Sequence, residues 1–206
     1  MNIKMRNISE IMYPLKPFIY TVRVKYSNDK EEVFRIESED DFDNYVIFNN
    51  PNYLDIIKVH FLSVHDDELI EKLPKNIVLL TNLETLCCPY MSELKELDPE
   101  IFKKLIKLKY LDISNTKIET IPSTISFLGN LESLNCRKTQ LKELPKEIGL
   151  LHNLKEIDCA WTNIKELPKE IGNLTKLEFI LAIGTQLVEK SVPSDFHNHE
   201  TLALIV

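Results

Sequence analysis

Four cysteines and two histidine–carboxylate clusters hold the side chains with the most evident chemistry. Cys87, Cys88, Cys136 and Cys159 could serve as nucleophiles, metal ligands or disulfide partners. Asp195, His197, His199 and Glu200 form the best metal lookalike, but two histidines at i and i+2 are typical of a solvated loop. His65-Asp66-Asp67-Glu68 reads more simply as the polar start of a short helix. The sequence has no phosphate-binding P-loop, no G-x-G-x-x-G, no H-E-x-x-H and no G-x-S-x-G. No catalytic residue, resident metal or cofactor is therefore expected, and the chain reads as non-enzymatic.

Composition narrows the partner. The chain has 206 residues, 25 Lys+Arg against 32 Asp+Glu and a formal charge of −7. That balance argues against nucleic acid or an anionic membrane, since both select basic surfaces. Hydrophobic residues make up 44%, enough for a packed core. Only four glycines are present, which leaves little room for glycine-rich ligand loops. The first residues, MNIKMRNISEIMYPLKPF, lack the apolar run of a secretory signal. No run suits a transmembrane helix. The expected location is the cytoplasm, with the thiols reduced. The glycosylation triplet at Asn173-Leu-Thr175 would matter only in a secreted chain.

The elements that position these residues come from an internal repeat, which is the first thing to seek. Leu105, Leu128, Leu151 and Leu174 stand 23 residues apart, as do Leu108, Leu131, Leu154 and Leu177. Thr116, Thr139, Thr162 and Thr185 keep the same spacing, as do the pairs Ile121-Pro122, Leu144-Pro145 and Leu167-Pro168. An L-x-L/C alternation gives a strand with one inward face. Proline then stops regular structure, and I-x-x-L gives a brief helical turn. One unit cannot bury its apolar face alone, so the array is stable only as a stack.

The pattern L-x-x-L-x-x-L/I-x-I/C/A-x-x-T-x-I/L-x-x-L-P-x-x-I resembles the leucine-rich repeat in its intracellular 23-residue LPxxIxxL class. Similar repeats occur in Ras-binding leucine-rich proteins and plant immune receptors. Thr stands here where that family usually has Asn or Cys. The resemblance implies an α/β solenoid: a curved parallel sheet on the concave face and short helical or irregular convex segments. A degraded unit at Leu80–Ile101 precedes the four regular ones. A more irregular one, Ile57–Phe61 with Leu73-Pro74, comes before that. Thr201–Val206 reads as a closing strand.

Residues 1–52 do not repeat. Phe18–Lys25 and Glu32–Ile36 alternate around Ser27-Asn28-Asp29, a β-hairpin pattern. Ser38-Glu-Asp-Asp41 opens a short helix through Phe48, ended by Asn49-Asn50-Pro51. This small non-repeat α+β segment is expected to cap the solenoid formed by residues 53–206. A small ubiquitin-like or PB1-like interaction domain is the other reading, from the order hairpin, helix, strand.

The strand pleat sorts the chemistry. Cys88, Cys136 and Cys159 fall in the inward column as small hydrophobes. Cys136 and Cys159 lie on adjacent strands about 4.8 Å apart, so a bridge is conceivable, but their packing role argues against it. Cys87 points outward. The Thr column bonds backbone groups at the bend. The Lys-Glu pairs of Pro145–Ile148 and Pro168–Ile171 are convex and solvated.

The resemblance implies that function sits on the concave strand face. Outward positions there are Thr85, Cys87, Pro89; Tyr110, Asp112, Ser114; Ser133, Asn135, Arg137; Glu156, Asp158, Ala160; and Phe179, Leu181, Ile183. Beside the Thr column stand Tyr90, Asn115, Lys138 and Trp161. Asp112, Asn135 and Asp158 stack as a polar stripe near Arg137, Lys138 and Glu156. With Tyr90, Tyr110 and Trp161, they compose a protein-binding surface. Phe179, Leu181 and Ile183 form an apolar patch on a face meant for solvent, to be covered either by a partner or by the segment after Thr185 folding back, through Ser191-Val-Pro-Ser-Asp195 or the last strand. The expected partner is another protein. A recognition or regulatory subunit of an enzyme complex, such as a ubiquitin ligase, is the alternative. The closing LALIV strand leaves an apolar edge that invites pairing with a second copy or a docked partner.

Overall fold

The computed structural model describes residues 20–36, 42–62, 71–187 and 203–205. One nine-stranded sheet runs through them in the order β2-β1-β3-β4-β5-β6-β7-β8-β9. The strands are β1 Tyr20–Tyr26, β2 Glu31–Ile36, β3 Ile56–Leu62, β4 Thr85–Cys87, β5 Tyr110–Asp112, β6 Ser133–Asn135, β7 Glu156–Asp158, β8 Phe179–Leu181 and β9 Ala203–Ile205. From β3 to β9 every neighbouring pair is parallel. β1 is antiparallel to both β2 and β3, so the N-terminal hairpin extends the repeat sheet through β3. The expected helix at Ser38 begins in residues outside those described; Phe42–Phe48 is a wide helical turn. The clusters at His65–Glu68 and Asp195–Glu200 also lie outside the described residues.

The 23-residue spacing becomes register. Leu86, Leu111, Leu134, Ile157 and Ile180 are direct cross-strand partners and are all buried. Cys88, Ile113, Cys136, Cys159 and Ala182 form the second buried column. The Leu-Pro and Ile-x-x-Leu positions close the core from behind. There the helical turns are 3₁₀ segments: Lys75–Leu79, Ser123–Phe127, Lys146–Leu150 and Lys169–Asn173. Each starts just after a proline, whose missing N–H needs no partner at that point. One α-helix, α1 Pro99–Lys104, replaces the turn in the longer unit, capped by the Asp98 carboxylate accepting from Glu100 N–H.

Tight stacking of these turns fixes one glycine. A Cβ at Gly149 would lie 2.4 Å from the Glu170 carbonyl oxygen of the next turn, whereas one at Gly129 would meet nothing within 4 Å. Gly149→Ala should therefore cost about 1–3 kcal/mol through forced backbone displacement. Gly129→Ala should be neutral or slightly stabilising. Urea unfolding of both variants checks the contrast.

At the N-terminal end, Tyr26 ties the hairpin to the following turn. Its hydroxyl donates to Glu32 Oε2 at 2.6 Å and accepts from Asn50 Nδ2 at 2.6 Å. Burial, reinforced by the Glu32 carboxylate, pushes this phenol up to about 12. Asn76 Nδ2 bonds Asp43 at 2.7 Å and Asn82 Nδ2 bonds the Leu54 carbonyl at 2.6 Å, which fastens the same segment to the first repeats.

Candidate functional site

The open face of the parallel sheet is set by three residues per strand and the bend after them. At the bend the inter-repeat ladder continues: Tyr90 N–H donates to Ser114 O, Asn115 to Arg137 O, Lys138 to Ala160 O and Trp161 to Ile183 O. To make these bonds the chain turns through the left-handed region at Tyr90, Asn115, Lys138, Trp161 and Gly184, with φ between 54° and 72°. Asn and Gly adopt that region cheaply; Tyr, Lys and Trp do so at a cost.

This bend corrects two of the expected outward positions. Ser114 and Ala160 are buried, because the chain leaves extended backbone there and their side chains are too short to reach out of the bend. Their counterparts Arg137 and Ile183 stay partly or well exposed. The Thr column behaves as expected. Its hydroxyls donate to Ile113, Cys136, Cys159 and Ala182 carbonyls at 2.7–2.8 Å.

The polar stripe has a local structural job. Asp112, Asn135 and Asp158 each accept, through Oδ1, the backbone N–H two residues on, at 2.9, 3.1 and 2.9 Å. Such Asx turns satisfy donors that the bend would leave unpaired. Asp158→Asn should therefore keep stability, since Asn135 does the same work one repeat earlier. Asp158→Ala should lose about 1 kcal/mol, read by chemical unfolding.

What remains exposed, beside Lys138, is aromatic and aliphatic. Tyr90 is 67% exposed, Trp161 52%, Tyr110 45% and Ile183 42%. Phe179 and Leu181 are half-buried side by side on β8, as are Glu156 and Asp158 on β7. Sequence reasoning missed two members of this surface. Ile205 pairs with Leu181 and is 45% exposed; the closing strand signalled it. Gly184 is the seat of Trp161: a Cβ there would stand 2.6 Å from the indole Cε3. The indole lies along the Gly184 backbone with half its surface open. A second exposed group, Ile106, Phe127 and Leu150, lies away from the strands at the ends of the helical turns, where 23-residue spacing of Phe127 and Leu150 could have revealed it.

Charge on the strand approach is mostly paired. Lys109 and Lys155 bridge to Glu84 and Glu132 at 2.9 and 2.7 Å across adjacent repeats. Lys142–Glu119 and Lys117–Glu93 do the same on the far flank. These exposed pairs contribute little each. The thiols are electrostatically quiet. Burial raises Cys88 and Cys136 well above the usual thiol range and Cys159 to about 12. Cys87, expected to be an exposed thiol, is half-buried and raised to about 11 by burial and by Asp112. All four thiols are free, and Cys136 Sγ donates to the Asp158 carbonyl at 3.2 Å. High thiol pKa values disfavour thiolate chemistry. Among the described residues no His, Cys, Asp or Glu group is arranged to hold a metal ion. Among them, too, no helix is long and apolar enough to cross a membrane.

Residues 88–192 match the family described as a leucine-rich repeat region. A solved leucine-rich repeat protein of Leptospira interrogans is similar over 70% of this chain, with a TM-score of 0.58 and 30% sequence identity. The chain spans 36% of the length of that structure. No curated protein matches significantly.

Proposed function

The chain belongs to the leucine-rich repeat family, and from that premise we propose that it is a non-enzymatic protein-interaction module whose partner protein docks on the concave strand face. The observation that carries this reading is the exposure of Tyr110, Trp161 and Ile183 beside a stripe whose Asp112, Asn135 and Asp158 each hold the bend backbone. Large aromatic side chains there would desolvate readily against a partner and dominate its binding energy. Buried polar side chains leave no unmet donor or acceptor among the described residues, so no ligand is needed to complete the core. The 23-residue period and the Leu-Pro pairs support the intracellular LPxxIxxL class and, with it, a cytoplasmic location. In the same reading residues 1–52 act as the cap of the array, supported by the pairing of β1 with β3. The exposed Ile205 on the outermost described strand supports an edge where a second copy could pair.

Affinity capture from the native cell extract tests the face. Wild type is compared with a Tyr110→Ala, Asp158→Asn, Trp161→Ala variant whose fold is verified by circular dichroism. A protein held by wild type and lost by the variant is the expected result. Equal retention by both would move the site off this face.

A further inference from the structure

We infer that the partner segment taken by this face is apolar with a lysine or arginine among its apolar side chains, seated over β7–β9 with the cation at Glu156 and Asp158. This rests on the concave-face reading above. The argument is one of register. Glu156 stands directly across from Phe179, and Asp158 from Leu181. Neighbouring strands are about 4.8 Å apart. On the far side Leu181 stands across from Ile205. Any segment that covers Phe179 and Leu181 therefore also strips water from the two carboxylates.

Those carboxylates have no cation of their own among the described residues. Glu84 and Glu132, at the start of neighbouring strands, are bridged by lysines, but neither Glu156 nor Asp158 forms an ion pair among the described residues. Asp158 uses one oxygen for the Ala160 N–H, and its other oxygen accepts no hydrogen bond from a described residue. Burying such a charge unpaired is unfavourable, so a neutral or acidic apolar segment is disfavoured. A segment that brings its own cation removes that cost, and the pair gains strength as water leaves.

The surrounding side chains fix the direction of approach. Arg137 and Lys138 belong to the bend one repeat before Ala160 and Trp161. They would repel a cation arriving at the bend. Glu156 begins β7, at the opposite end of the strand from the bend. The cation therefore enters on the Glu156 side, and the apolar side chains lie toward Ile183 and Trp161. The indole, held on Gly184, walls the bend side of the patch.

Trp161 is the chain's only tryptophan, so its emission reports this site directly. The probe is a phage-displayed library of random 12-residue peptides, panned against the full chain. Selected peptides are then titrated as synthetic material while tryptophan-free versions shift the Trp161 emission. The expected peptides combine aliphatic or aromatic residues with Lys or Arg. Glu156→Lys should weaken them at least about tenfold and favour counterparts carrying Glu in place of the cation. Ile183→Asp should weaken both sets. Acidic or neutral peptides that shift the emission would overturn the partner class while leaving the face in place. Peptides that bind without an emission change, and are indifferent to both substitutions, would overturn the face itself. An emission change with protein concentration alone would make the occupant a second copy and overturn the inference. Failure to select any peptide would overturn it as well.

Discussion

Leu134→Asp is expected to abolish the cooperative unfolding transition, leaving a chain without a stable fold at neutral pH. Leu134 is 1% exposed in the middle of the buried column, between Leu111 on one side and Ile157 on the other. Deleting a buried leucine side chain costs about 2–5 kcal/mol before any charge is considered. An ionised carboxylate in its place has no partner, and burying it adds several kcal/mol more. A domain of this kind is stable by only about 5–15 kcal/mol in total. The position is also central to a stack in which each repeat is held by its neighbours, so both interfaces of that repeat fail together. Ser133 provides the internal control. It is adjacent in sequence but on the opposite pleat face, partly exposed and directly across from Glu156. Ser133→Lys should leave the transition nearly unchanged. Thermal unfolding followed by circular dichroism reads both variants. A Leu134→Asp protein with a wild-type midpoint would refute the assigned inward column.

The contrast between Leu134 and Ser133 also shows how much of this molecule is written locally. The inward columns are legible because a strand alternates strictly and the units recur at a fixed period. Leu134 and Cys136 therefore announce their own burial, and the Thr column its hydrogen bonds. Legibility fails where the chain stops being a strand. Alternation carried past Asp112 or Asp158 places Ser114 and Ala160 outside, but at the bend these small side chains stay buried, whereas the longer Arg137 and Ile183 reach out from the same position. Tyr90, Lys138 and Trp161 give no sign of their left-handed conformation, since their types disfavour it. Only Asn115 and Gly184, in the same column, hint at it. The Asx turns are hidden for a related reason. An Asp on a strand face reads equally well as a binding group or as a cap, and only the Oδ1 to N–H distance separates the two.

The same bend separates scaffold from surface. Positions one residue apart carry Ser114, buried, and Asn115, in the left-handed region; or Ala160, buried, and Trp161, half open. The backbone demands of the bend are met identically in each repeat, but the side chain at the left-handed position varies freely among Tyr, Asn, Lys, Trp and Gly. The fold needs nothing from those side chains except tolerance of positive φ. Bulky aromatic residues at two of the five positions, Tyr90 and Trp161, are the side chains that the proposed partner surface would use.

Stability is expected to stay flat up to about pH 9 and then fall steeply, with cooperative alkaline unfolding between about pH 10 and 12. Cys88, Cys136 and Cys159 are fully buried in one column. Burial raises all three above the ordinary thiol value of 9.0, Cys159 to about 12. A thiol raised in the folded state stays protonated there while it ionises in the unfolded chain. The unfolded chain then binds fewer protons, so stability is fully present below pH 9 and is lost as pH climbs toward the folded value. Each such group removes about 1.4 kcal/mol per pH unit. Cys159 alone accounts for about 2.7 kcal/mol by pH 11, and with Cys87, raised to about 11, four thiols together give a slope of about 5 kcal/mol per unit. Tyr26, raised from 10.0, adds in the same direction only above pH 10. The paired lysines, raised from 10.5, also begin to lose charge later. Between pH 9 and 10 the slope thus belongs to the thiols. Urea unfolding at half-unit steps from pH 7 to 10.5, with reductant present, measures it. A Cys136→Ala, Cys159→Ala variant separates cause from coincidence, since Ala182 already fills the same column without strain. That variant should be less stable at pH 7 because two sulfur atoms are missing, and should lose about half of the slope between pH 9 and 10, Cys87 and Cys88 keeping the rest. An unchanged slope would mean that something other than the buried thiol column governs alkaline unfolding.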